Sequence, residues 1–142
     1  MIPTISTAAL ATIRADVAAN EGREACGLLL AKDDDIMLAV PCRNVAADPA
    51  RRFEIDPVAL IAAHRAARAG GPAIVGHYHS HPDGSSLPSP RDAADAVPDG
   101  SLWLIVGADS ARLWRAVPHG LIENRFDPVP CAVGAAVPEG PR

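Results

Sequence analysis

His79-Ser80-His81-Pro82, followed by Ser89 and then Asp92, is the stretch on which the reading of this chain turns. Written as H-x-H-x7-S-x2-D, it puts two imidazoles, a hydroxyl and a carboxylate into one short segment. Ala73 to His79 reads as a strand, and side chains alternate along a strand, so His79 and His81 project to the same side. Two neutral imidazoles and a carboxylate make three protein ligands, the number a catalytic zinc uses when its fourth position holds water. A structural zinc site would be closed by four ligands, usually including cysteines.

The same residues also have a purely structural reading. Ser89-Pro90-Arg91-Asp92 is a helix start, with Ser at the N-cap, Pro at the first helical position and an acid three residues after the cap. His-Ser-His-Pro can be a polar strand end stopped by proline. The two readings are compatible, because a helix N-terminus is a rigid place from which to hold a ligand and a hydroxyl donor.

A candidate general base lies upstream. In Arg23-Glu24-Ala25-Cys26-Gly27-Leu28-Leu29-Leu30 a carboxylate directly precedes an apolar run that reads as a buried strand. A Glu at the mouth of such a strand is poorly solvated, which raises its pKa towards a value useful for proton transfer. The alternative is an ordinary surface acid, like its neighbour Glu21.

Glu24-Ala25-Cys26-Gly27-Leu28, Gly76-His77-Tyr78-His79-Ser80-His81-Pro82 and Pro88-Ser89-Pro90-Arg91-Asp92 together resemble the JAMM (MPN-plus) zinc metalloprotease family in its compact, stand-alone prokaryotic form. The resemblance spans residues 1–126 and leaves 127–142 as a Pro/Ala/Gly-rich tail. It implies that His79, His81 and Asp92 hold Zn2+, that Glu24 is the general base on the zinc water, and that Ser89 donates to the tetrahedral intermediate. It also implies the JAMM/MPN fold, related to that of the zinc cytidine deaminases. A deaminase itself would carry H-x-E and P-C-x-x-C, and neither is present. The implied substrate is an amide after the C-terminal Gly-Gly of a ubiquitin-like or sulfur-carrier protein, whose tail could add as a strand to a sheet edge. A non-catalytic binding or scaffold module that recognises such tails is the alternative. An intact Glu24 speaks against it, since binding alone needs no proton-transfer group.

Composition fits a small enzyme. A length of 142 residues is that of one domain. With 49% hydrophobic and 21% charged residues the chain is globular rather than disordered. Thirteen basic against seventeen acidic residues give a net charge of −4, without the basic footprint of a nucleic-acid binder. No signal-peptide pattern and no apolar span of membrane length is visible, so no membrane partner and a cytoplasmic location are expected. Cys26, Cys42 and Cys131 form no disulfide framework and no C-x2-C pair. Cys26, two positions after Glu24, can be read as a nucleophile, but its strand context reads as core packing.

The remaining elements predict an α/β fold: a single domain with a central mixed β-sheet flanked by helices. Ser6 or Thr7 caps a first helix with the stripe Leu10, Ile13, Val17. Leu28–Ala31 and Ile36–Val40 form a hairpin across Lys32-Asp33-Asp34-Asp35. Asn44–Arg52 is a loop and Phe53-Glu54-Ile55 a short strand. Asp56-Pro57 opens a second helix, which ends at Gly70-Gly71. Leu102–Val106 and Arg112–Ala116 flank a turn, with Trp103 and Trp114 in or beside the core. A last strand covers Leu121–Phe126, and the chain is irregular from Asp127. Asp83–Pro88 reads as a mobile loop that covers the site. His64 and His119 read as packed or surface residues rather than ligands.

Overall fold

The computed structural model describes residues 2–134. Its elements in chain order are β1 (Thr4–Ser6), α1 (Thr7–Ala19), β2 (Cys26–Lys32), β3 (Asp35–Cys42), α2 (Pro57–Arg68), β4 (Ala73–Ser80), α3 (Pro90–Asp95), β5 (Leu102–Val106), β6 (Ala111–Ala116), β7 (Phe126–Val129) and β8 (Ala132–Gly134). The strands form one eight-stranded mixed sheet in the order β7-β6-β5-β4-β2-β3-β1-β8. The expected α/β domain with a mixed sheet and flanking helices is therefore the fold observed.

Local chemistry accounts for most of the boundaries. Ser6 caps α1 by accepting from the Ala9 amide at 3.0 Å, and Ile13 is fully buried beneath the helix. Asp56 caps α2 through the Val58 amide at 3.0 Å, with Pro57 as the first helical residue. Beyond α2, Gly70 takes a left-handed φ of 98° that a side chain would resist. The β2–β3 hairpin closes through Asp33, itself at φ 55°, a conformation that Asp tolerates.

The sheet sorts its side chains between two faces. Leu29, Tyr78, Leu104 and Leu113 pack with Ile5 and Ile13 against α1. Trp103, Ile105, Trp114 and Phe126 pack on the opposite face, with Phe53 and Ala93 against them. Trp103 lies opposite Trp114 in the β5–β6 register, and both are buried, as the sequence suggested. His64 and His119 are exposed, and neither joins the site described below.

Four readings need correction. The short strand expected at Phe53-Glu54-Ile55 is a single bridge between Ile55 and Asn44, with Phe53 and Glu54 outside any strand. β1 was not anticipated, because three residues are too few to show alternation. The last strand runs Phe126–Val129 rather than Leu121–Phe126: Glu123 and Asn124 at φ 53° and 54° make a tight turn that brings Ile122 opposite Phe126. Pro128 is tolerated in β7 because this is an edge strand and needs no N–H on its outer side. The stretch expected to be irregular from Asp127 thus carries most of β7 and all of β8, which pairs in parallel with β1. Residues 135–142 of that tail lie outside the described residues.

Gly27 is required by close approach. A Cβ there would run into the Tyr78 ring and the Val40 carbonyl oxygen, and Tyr78 is held in place by its 2.6 Å hydrogen bond to Asp16. Gly27→Ala should therefore lose about 1–3 kcal/mol in urea unfolding, the usual cost of overpacking. A variant as stable as the wild type would show that Tyr78 can move away.

Candidate metal centre and active site

His79 and His81 leave the end of β4 on the side opposite α1. Their Nε2 atoms lie 3.1 Å apart. Asp92 joins them from α3, with one carboxylate oxygen 3.2 Å from His79 Nε2 and the other 3.0 Å from His81 Nε2. His79 is 0% exposed and Asp92 4%, so this polar cluster is withdrawn from solvent. The structure brings together the three residues that the motif singled out.

Asp92 reaches this place through a capping box. The Ser89 hydroxyl oxygen accepts from the Asp92 amide at 3.0 Å, and the Ser89 amide donates to Asp92 Oδ2 at 3.0 Å. The helix-start reading and the ligand reading therefore describe the same residues. Because the Ser89 oxygen serves as an acceptor here, its own O–H remains free to donate.

The donor set fits a small transition-metal ion. A tetrahedral zinc at about 2.0–2.1 Å from nitrogen would need its donors roughly 3.3 Å apart, close to the separations seen. His81 Nδ1 lies 3.1 Å from the Ser85 carbonyl oxygen. A carbonyl only accepts, so in the neutral ring Nδ1 carries the proton and Nε2 turns its lone pair into the cluster. Burial lowers the pKa of His79 and keeps its imidazole neutral. Burial works against ionisation of Asp92, but the His79 and His81 rings and the Ser89 amide set against its oxygens outweigh it and hold the carboxyl well below its usual range. A neutral imidazole beside an ionised carboxylate is what metal binding requires.

Glu24 stands just ahead of β2, whose antiparallel register on β4 sets Cys26 opposite His79. It is 5% exposed, and its Oε1 has no hydrogen-bond partner among the described residues. Burial, partly offset by His81, pushes its pKa up to about 7. Glu24 also lines a cleft of about 450 Å³, and His81 lines a separate one of about 390 Å³. The ordinary-surface-acid reading does not hold. Cys26 is buried with its thiol pushed up to about 12, mainly by burial, which suits core packing and not nucleophilic attack.

Two features escaped the sequence reading. Asp83–Pro88, expected as a mobile loop, is hydrogen-bonded into the fold. Ser85 receives the His81 ring, Gly84 O accepts from the Ala108 amide at 3.0 Å, and Ser86 O accepts from the Trp114 indole at 3.1 Å. Phe53 stacks on His79, with ring centroids 4.3 Å apart and planes at 22°. Backbone carbonyls have no sequence signature, and Phe53 is far from the motif in the chain. Its only signal was an aromatic shortly before the start of α2.

A mixed sheet thus gathers two imidazoles and a carboxylate that could hold a metal ion at one strand end, with a buried acid on the neighbouring strand. Residues 6–117 match the family described as prokaryotic homologs of the JAB domain, and the chain belongs to that family. It is 34% identical over 126 residues to a desampylase of Haloferax volcanii, covering 87% of this chain and 88% of that one. It is also 34% identical over 110 residues to a probable TtuB-protein conjugate cleaving protease of Thermus thermophilus, covering 75% and 70%. A solution structure from Desulfitobacterium hafniense shares the fold at a TM-score of 0.81 and 22% identity, covering 99% of this chain and 97% of that one. A structure described as a JAMM metalloprotease-like zinc site in the proteasome and signalosome shares it at 0.60 and 18%, covering 94% and 99%. The JAMM/MPN resemblance is borne out, and the chain is a hydrolase of this family.

Folding raises the Glu24 pKa from 4.5 to about 7, so the folded protein holds this proton more tightly than the unfolded chain does. Stability from this group is therefore greatest at low pH and is lost as the pH rises through that interval. In metal-free protein, Glu24→Gln should be more stable than wild type at pH 8 and nearly equal at pH 4, as read by urea unfolding. Equal stability at both values would mean that the carboxylate is hydrated.

Proposed function

We propose that the chain is a cytoplasmic zinc-dependent isopeptidase. It hydrolyses the amide that joins the C-terminal Gly-Gly of a ubiquitin-like or sulfur-carrier protein to an amine. The observation that carries this reading is Glu24: a buried, unpartnered carboxyl raised to about 7, in the electrostatic field of His81 and Asp92. A structural metal site or a tail-binding module has no use for such a group. The substrate class is supported by the two relatives at 34% identity, one a desampylase and one named for cleaving TtuB–protein conjugates. For the compartment, Cys26, Cys42 and Cys131 are free thiols, as a reducing environment keeps them. No helix among the described residues is long and apolar enough to cross a membrane.

His79, His81 and Asp92 are the residues that hold the zinc. When bound there, zinc supplies Lewis acidity that activates water and polarises the scissile carbonyl. Glu24 takes the proton from the attacking water as the new C–O bond forms. It then passes that proton to the departing nitrogen as the C–N bond breaks, so that the carrier leaves as a carboxylic acid and the other half as an amine. Ser89 turns its free O–H to the oxygen on which negative charge develops. Phe53 covers one face of the His79 ring and helps to keep it from water.

The test is mass-spectrometric detection of cleavage, with zinc present, on a sulfur-carrier protein ending in Gly-Gly joined to cysteine or lysine. Wild type should release the carrier after the second glycine, and activity should fall as the pH drops below about 7, where Glu24 is protonated. Glu24→Ala should keep zinc and lose turnover. Ser89→Ala should lower turnover by about 10²–10³. His79→Ala and Asp92→Ala should lose the metal, and full zinc occupancy in either would remove that residue from the ligand set. No cleavage of any Gly-Gly conjugate by zinc-loaded wild type would sink the substrate assignment.

A further inference from the structure

Asn44, at the start of the loop between β3 and α2, uses its whole side chain on backbone. Its Nδ2 donates to the Glu24 carbonyl oxygen at 3.0 Å, to Arg52 O at 3.0 Å and, more loosely, to Pro49 O at 3.4 Å. Its Oδ1 accepts from the Ala46 amide at 3.0 Å and from the Glu54 amide at 3.1 Å. Every partner of the nitrogen is an acceptor and every partner of the oxygen is a donor, so the amide can sit only this way round.

The segment so gathered touches the site twice. Pro49 O accepts from the Glu24 amide at 2.7 Å, so the backbone on both sides of the Glu24 Cα is held by Asn44 or by the loop that Asn44 folds. Phe53, between the two loop residues that Asn44 binds, carries the ring stacked on His79. From the other side, the Ala25 amide donates to Ser80 Oγ at 2.9 Å, which ties this point to the residue between the two histidines.

We propose that Asn44 is a positioning residue for the hydrolysis. It sets the Glu24 backbone and the Phe53–His79 stack in one fixed relation, so that the proton acceptor and the metal-site imidazole keep their register. This rests on the reading of Glu24 as the base. Asn44 touches neither substrate nor metal, and its effect runs through where the backbone puts Glu24. A displacement of about 1 Å at a reacting group can cost about 10²-fold in rate.

The experiment compares zinc-loaded wild type with Asn44→Ala and Asn44→Asp. The Asp variant keeps size and acceptor but turns a carboxylate oxygen towards three carbonyls, and it serves if the alanine variant fails to fold. Both variants should keep wild-type zinc stoichiometry and a KM within about twofold, while kcat falls about 10²-fold. By NMR, exchange of the Glu24 amide should rise about tenfold more than that of the Tyr78 and Leu104 amides in the core, the size expected for one lost hydrogen bond. A general loss of stability would instead raise all three together, and that result overturns the proposal. So does unchanged kcat in a folded variant, or a wild-type rate in Asn44→Asp. If wild type cleaves no Gly-Gly conjugate, the isopeptidase reading falls, and the Glu24 exchange ratio alone decides whether Asn44 fixes that backbone.

Discussion

The antiparallel register of β2 on β4 is the constraint from which the rest of the site follows. It sets Cys26 opposite His79 and Gly27 opposite Tyr78. A slip of one residue would turn every side chain of a strand to the other face. Here it would drive a neighbour with a Cβ into the Tyr78 ring and carry Glu24 away from the histidines. Ser80 locks the same register beyond the last strand pair, with its amide bonded to Ala25 O at 3.0 Å and its hydroxyl accepting from the Ala25 amide. The residue between the two histidines is thus a clasp between the strand that leads to the His79–His81–Asp92 cluster and the strand that follows Glu24.

Around that clasp, ordinary structural devices hold reactive groups. The capping box that starts α3 satisfies two backbone amides and in the same act fixes the Asp92 carboxylate against both imidazoles. The loop after His81, pinned to Ala108 and Trp114, offers the Ser85 carbonyl that sets the tautomer of the neutral ring. Glu24 departs from this, because its Oε1, like His79 Nδ1, is buried without a hydrogen-bond partner among the described residues. Such a group costs stability. Polar atoms of this kind cluster at sites where the chemistry depends on them.

Much of this was legible in one dimension. The helices declared themselves through Ser6, Asp56-Pro57 and Ser89-Pro90, because caps and first-turn prolines act within a few residues of where they stand. The hairpin at Lys32–Asp35 and the paired tryptophans of β5 and β6 followed from alternation and turn chemistry. β1 and β8 did not, since three-residue strands become strands only by pairing with each other and with β3. The end of β7 was misread because Glu123 and Asn124 take left-handed backbone angles that their residue types do not announce as glycine would. Asn44 read as the first residue of a loop, and nothing near it in the chain told of its bond to Glu24, twenty positions away.

What the sequence determined alone was the inventory and its local geometry: two histidines spaced for one side of a strand, an acid three residues past a capping serine, and an isolated glutamate before an apolar run. Strand pleat and helix start are set by neighbouring dihedrals, so short-range pattern suffices for them. The tertiary structure decided how these pieces meet. It brought Glu24 into the electrostatic field of His81 and Asp92, withdrew its carboxyl from water, laid Phe53 on His79 and turned the Ser85 carbonyl to His81. Proximity and desolvation come from sheet pairing between residues far apart in the chain, and no local pattern encodes them.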